Sequence, residues 1–284
     1  MIDKQTKHKD NGSGESMAEK QFVTENGTIC YKIEREEAII IGFWGFAANL
    51  SLPWQIEGYP VTAIQRKAFL SQKNLCSIRL PEGIREVGDW AFAYCDSLAE
   101  ISFPKGEVRF GKAVFKGCGS LERIAVREGS GQNRIEAGDL RGENRRKPAG
   151  MSMGEPGERR LEEGKPETES KEADSCAELL AASVTMLDAP YLLDLAGAGS
   201  KEWLAQWDIR LLSILRAADS EGYISQSVYG EEDYIGTDLE EFTSEKRKVK
   251  VRLSFLRLLH ARFLSLSLKE ELEQYLRSLT KSRS

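Results

Sequence analysis

A period of 23 residues constrains this chain more than any other feature. Phe69, Phe92 and Phe115 are spaced by it, as are Leu75, Leu98 and Leu121, and Ile78, Ile101 and Ile124. The same step links Ile64, Val87 and Phe110, then Ala68, Ala91 and Val114, then Leu80, Phe103 and Val126. All six columns stay apolar through all three copies in a chain that is only 40% hydrophobic, which chance does not supply. A unit this short cannot bury its own apolar face, so copies must stack and share a core.

Within the unit, "LAEISFP" alternates from Glu100 onward and reads as a short strand with Ile101 and Phe103 pointing inward. Pro104 ends it, because proline cannot donate to a ladder. "VGDWAFAYC" returns on the opposite side, with Gly88 expected to permit the turn and Phe92 to fill the interior. Cys95 and Cys118 share one column, so they are expected inside, where a free cysteine acts as a small hydrophobe. Were the protein oxidised, adjacent copies could bring the two within disulfide reach, but nothing in the pattern requires it.

The copy "IREVGDWAFAYCDSLAEISFP", Ile84 to Pro104, resembles the BspA-type leucine-rich repeat family, whose unit runs roughly V-T-x-I-G-x-x-A-F-x-x-C-x-x-L-x-x-I-x-I-P. The earlier copy has Gln65 and Gln72 at the glycine and cysteine positions. The later one has Glu107 where an apolar residue belongs and Arg127 in place of proline, so it reads as a terminal copy. Phe22 to Pro60 reads as a β-rich cap, with a turn at Asn26-Gly27 and a degenerate repeat in "LSLPWQIEGYPV". The resemblance covers about Phe22 to Arg127 and implies a short solenoid.

From Glu128 the composition turns to Gly, Glu, Arg and Lys, and no aromatic occurs between Phe115 and Tyr191. Such a segment cannot offset its ordering entropy, so 128–176 is expected to be a disordered linker that leaves its flanks free to pack or not. Beyond it the period is helical. Trp203, Trp207, Leu211, Ile214 and Ala218 make one face behind a Ser200 cap, and Leu268, Leu272, Tyr275, Leu276 and Leu279 make another behind a Ser267–Glu270 capping box. "KVKVRLSF" alternates like a strand, but no Gly or Pro follows Thr237, which favours one long helix through Leu239, Phe242, Val249, Leu253, Leu256 and Phe263. The expected organisation is a tail at 1–20, an α/β leucine-rich-repeat solenoid at 21–127, the linker, and a separate all-α bundle of four or five helices at 177–284.

The residue chemistry points away from catalysis. Only His8 and His260 could activate a thiol, the first in a polar tail and the second in the other unit. Five cysteines without a C-x-x-C spacing predict neither a disulfide framework nor a zinc site. "GAGSKE" at Gly197 lacks the G-K-[ST] order of a phosphate loop. "AADSEGYISQSV" puts Ala217 and Val228 where a calcium loop needs carboxylates. No enzyme, cofactor or metal is therefore expected. The polar start has no apolar signal core and no run reaches the ~20 residues of a membrane span, so the chain is expected in the cytoplasm.

What remains is recognition of a protein. The strand face is expected to present Ser77, Arg79, Glu100, Ser102, Arg123 and Ala125 to a protein partner. Lys246, Arg247, Lys248, Lys250 and Arg252 form a second candidate surface, for phosphate or an acidic partner. Acidic residues at Asp238, Glu240, Glu241 and Glu245 precede that cluster, an order that suits a solvated helix face better than a nucleic-acid site. A net charge of −5 gives no general attraction to nucleic acid or anionic lipid. The expected role is thus a non-enzymatic interaction module, with a surface adhesin of the kind the family resemblance suggests, or a nucleic-acid binder through Lys246–Arg252, as the alternatives.

Overall fold

The computed structural model describes residues 19–127, 167–223 and 238–281. Strands β1 (Lys20–Thr24), β2 (Gly27–Glu34) and β3 (Glu37–Trp44) form an antiparallel meander that caps the solenoid. The register pairs Thr24 with Gly27, so the first loop is Glu25-Asn26 rather than the expected Asn26-Gly27. Gly27 is needed for close approach: a Cβ there would lie 2.6 Å from the Trp44 carbonyl oxygen. The second loop, Arg35-Glu36, holds both residues left-handed, at φ 50° and 63°. Side chains avoid that region and glycine does not. Glu36→Gly is therefore expected to stabilise the chain by about 0.5–1 kcal/mol, read as a higher urea midpoint at unchanged slope. An unchanged or lower midpoint would count against a strained hairpin.

The repeats wind between two sheets. The first continues the cap through β6 (Tyr59–Ile64), β8 (Glu86–Val87) and β10 (Arg109–Phe110), all parallel, with β5 (Gln55–Ile56) paired to β6. The second stacks β4 (Asn49–Ser51), β7 (Ser77–Arg79), β9 (Glu100–Pro104) and β11 (Arg123–Arg127) in parallel. The degenerate repeat thus supplies a true rung through Leu50. Every residue of the six apolar columns is buried except Phe110 and Val126, both in the last copy, which are partly covered. Glu107, standing where Ile84 is buried, is exposed.

The phenylalanine column is longer than the period shows. Phe43 of the cap stacks on Phe69 at 5.7 Å, Phe69 on Phe92 at 5.1 Å and Phe92 on Phe115 at 5.9 Å, with ring planes 26°, 15° and 10° from parallel. Gly88 does not serve a positive-φ turn. A Cβ at Gly88 would meet the Arg66 amide at 2.6 Å, and one at Gly111 the Asp89 amide at 2.4 Å, so both glycines let successive rungs touch. The connecting segments share one geometry, with Lys67, Trp90 and Ala113 and then Ser71, Tyr94 and Gly117 all left-handed. Their reward is axial hydrogen bonding. Lys67, Phe69 and Ser71 donate to the carbonyls of Asp89, Ala91 and Ala93, and Trp90, Phe92 and Tyr94 to those of Lys112, Val114 and Lys116.

Helix α1 (Glu167–Thr185) begins inside the stretch expected to be linker, while 128–166 lies outside the described residues. It packs on β11, and its Leu179, Leu180, Ala181 and Ala182 join the same hydrophobic core as the repeats. An uncovered edge strand invites pairing with other chains, and α1 removes that hazard at β11. Helices α2 (Lys201–Arg216), α3 (Leu239–Leu259) and α4 (Leu266–Lys281) complete the unit. The Ser200 hydroxyl caps α2 by accepting from the Trp203 amide, and Trp203, Leu204, Trp207 and Leu211 form its buried face. Ala218, expected on that face, lies beyond the helix end and is exposed. The cap of α4 is Ser265, accepting from Leu268 at 3.2 Å, rather than Ser267. "KVKVRLSF" is helical, within α3.

Candidate functional site

Registers on the second sheet align Asn49, Ser77, Glu100 and Arg123 in one outward column, and Ser51, Arg79, Ser102 and Ala125 in the next. The expected strand-face residues are therefore brought together, but unequally. Arg79 is exposed, while Ser102 is only 8% accessible: both lie on inner strands, and the short serine side chain does not rise above its neighbours as the long arginine does. Ser77 donates to the Asn49 side chain at 2.7 Å. Arg123 lies 3.7 Å from Glu100 and 3.9 Å from Glu178 of α1, so it ties the face to the helices.

Arg127 was outside the expected set. It takes the place that Pro81 and Pro104 hold in the period, and that break in the pattern was its signal in the sequence. Its guanidinium donates to the Leu80 carbonyl and lies 3.8 Å from Glu82. Its Nε is buried and has no partner among the described residues. Burial, and then the charge of Arg79, push this guanidinium down from its ordinary pKa. The far end of the strand face is therefore a place where two cations crowd.

The basic stretch on α3 is largely used up internally. Lys250 is buried and donates to the Ala217 carbonyl at 2.6 Å and to Asp219 at 2.7 Å. Arg247 bonds Asp219 at 2.7 Å, Lys248 bonds Glu245 at 2.6 Å, and Lys246 sits over the Phe242 ring. Burial pushes the Asp219 carboxyl up, but Lys250 and Arg247 outweigh it and the net direction is down. Arg252 faces the cleft between the last copy and the helices. These five cations do not form one open surface.

Cys95 and Cys118 are buried, and each thiol donates to a phenylalanine carbonyl of the preceding rung: Phe69 at 3.0 Å and Phe92 at 3.1 Å. Burial pushes Cys95 up to about 11; burial and then the neighbouring Cys95 push Cys118 to about 12. The thiolate is the reactive form, so at pH 8 iodoacetamide should label exposed Cys76 while Cys95 and Cys118 react only after unfolding. Rapid native labelling of Cys95 would revive it as a nucleophile.

The tryptophans pack as expected: Trp203 and Trp207 donate to the carbonyls of Leu192 and Leu179. Gly197 and Ala196 donate to the Asp194 carboxylate, a loop that leads into the Ser200 cap. Among the described residues no cluster of His, Cys, Asp and Glu has the makings of a metal site, and no helix is long and apolar enough to cross a membrane.

Two concavities accompany the strand face. One, of about 760 Å³, lies on the first sheet over Ile39 and Ala63; its rim charges are paired as Arg109–Glu86 at 2.9 Å and Lys32–Glu34 at 2.5 Å. The other, of about 1060 Å³, separates the last copy from the helices and is walled by Val114, Phe115, Leu121, Val184, Met186 and Leu193.

Residues 44–137 match the family model for a BspA type leucine rich repeat region, in six copies. A search of curated proteins gives no match. Among solved structures, a leucine rich cell surface protein from Faecalibacterium prausnitzii is similar at 22% identity and TM-score 0.33, covering 38% of this chain and 32% of that one. A leucine-rich repeat protein from Bacteroides ovatus is similar at 26% identity and TM-score 0.33, over 37% and 29% of the two chains. The T. pallidum leucine rich repeat protein is similar at 27% identity and TM-score 0.28, over 42% and 64%. This chain thus spans about a third or less of the length of the first two. Its segment 44–137 is a BspA-type leucine-rich repeat region.

Proposed function

We propose that this chain is a protein-binding scaffold that acts inside the cell, with the strand face of the second sheet as its contact surface. The observation that carries this reading is the pair of arginines at the end of that face. Arg79 is exposed, and Arg127 is held beside it with an unpartnered Nε. Two adjacent cations on a rigid sheet favour an acidic side chain from a partner, because a carboxylate set against exposed Arg79 would offset their repulsion, while the buried Nε of Arg127 stays out of a partner's reach. Ser77, Glu100, Arg123 and Ala125 extend the surface, and Ser102 supports it from below. Lys246, Arg247, Lys248 and Lys250 are assigned to helix packing and solvation.

The test is quantitative affinity capture from the native cell with the full chain, Arg79→Glu, and Lys248→Glu as a surface control. Proteins captured by the full chain and by Lys248→Glu, but lost with Arg79→Glu, are the expected result. Equal capture by all three would remove the strand face from the reading. Cleavage by protease added to intact cells would place the chain at the surface and overturn the location.

A further inference from the structure

The axial hydrogen bonds that tie one rung to the next stop at the last copy. Their 23-residue equivalents are the amides of Ala113, Phe115 and Gly117, and none of these has an acceptor among the described residues. The adjoining strand β10 is the free end of the first sheet. Helix α1 covers β11 but not this half of the terminal rung, which instead forms one wall of the 1060 Å³ cleft. Three parallel donors at alternate residues, left open in a partly apolar cleft, are an unfilled position in a ladder.

The sequence does not supply the missing rung from this chain at the same period. Asn133, Gly138, Asn144 and Lys147 stand where a further copy needs the equivalents of Phe110, Phe115, Leu121 and Ile124. We infer that the half-rung from Phe110 to Gly117 is a docking edge for a segment of a partner protein that repeats the course of this rung. The segment's alternate carbonyls accept from Ala113, Phe115 and Gly117, as those of Lys112, Val114 and Lys116 do for the rung before. The carbonyls of Lys112, Val114 and Lys116 belong to a turn-rich course with Ala113 and Gly117 left-handed, so a docked segment that follows the same course takes its register from backbone alone. Specificity then comes from apolar side chains at alternate positions, facing Phe115, Val184 and Met186 across the cleft.

This site lies away from the strand face, and it deepens the protein-binding reading without depending on Arg79. The test is residue-resolved amide exchange on the full chain, with a synthetic peptide of sequence Phe110–Gly119 as the probe, because that segment already seats on the preceding rung. In the free chain, the amides of Ala113, Phe115 and Gly117 should exchange at least about 100-fold faster than those of Trp90, Phe92 and Tyr94. Added peptide should slow the three by about tenfold or more, and Met186→Trp, which fills the cleft, should abolish the slowing. No slowing at millimolar peptide overturns the proposal. So does protection already present in the free chain. If that protection disappears when 128–166 is replaced by a Gly-Ser linker, the chain's own segment is the occupant; if it depends on concentration, a second copy is. Exchange is read without Arg79→Glu, so failure here and failure of the strand face are distinguishable.

Discussion

Asp208→Ala is expected to destabilise the chain by about 3 kcal/mol. Its partner Arg257 is completely buried. Arg257 makes a two-pronged ion pair with Asp208, at 2.5 and 3.0 Å, and also donates to the carbonyls of His260 and Arg262, the second at 3.1 Å. Removing the carboxylate leaves a cation buried without its counter-charge, the costly way to break such a pair. The surviving carbonyl contacts hold the effect toward the lower end of the range for buried pairs. Urea unfolding measures the loss, and the double variant Asp208→Leu with Arg257→Met should recover most of it. A shift below about 1 kcal/mol for Asp208→Ala would mean that water reaches Arg257.

The second large effect belongs to the ring column. Phe92→Ala should cost about 4 kcal/mol, since it removes a fully buried ring stacked on both faces and leaves a cavity that rungs fixed by axial bonds cannot close. Phe115→Ala should cost less, because Phe115 is stacked on one face and borders the open cleft. The order of the two is the diagnostic result. Equal losses would mean that the terminal copy is as well packed as the middle one.

Stacking was legible in the sequence because a period puts the same demand on each copy. Phe92, Leu98, Ile101 and Cys95 could be placed inside without coordinates. Phe43 could not, since it joins the column from an antiparallel cap that does not share the 23-residue step. Gly88 was found, but with the wrong reason: it and Gly111 matter for distance between rungs, which no single unit reveals. Arg257 was hidden because a buried arginine looks in sequence like any other charge on a helix, and its partner Asp208 is 49 positions away. The pairing of the basic run of α3 was hidden for the same reason, since Asp219, which bonds two of its members, belongs to the turn after α2. Ser102 was expected to reach a partner from its alternation alone, and alternation says nothing about how closely neighbouring strands crowd.

Because α1 meets the solenoid at β11, the helices are joined to whichever copy comes last and not to the array as a whole. Duplicating residues 82–104 in place would add one coil between the hairpin cap and the helical unit while keeping α1 on β11, although Arg127 would lose Leu80 and Arg79 as neighbours. The spacing between the two ends is then adjustable in steps of about 4.8 Å, which makes copy number a ruler. A longer relative built in this way would carry the same hairpin cap and helical unit farther apart, its reach set by the number of coils between them.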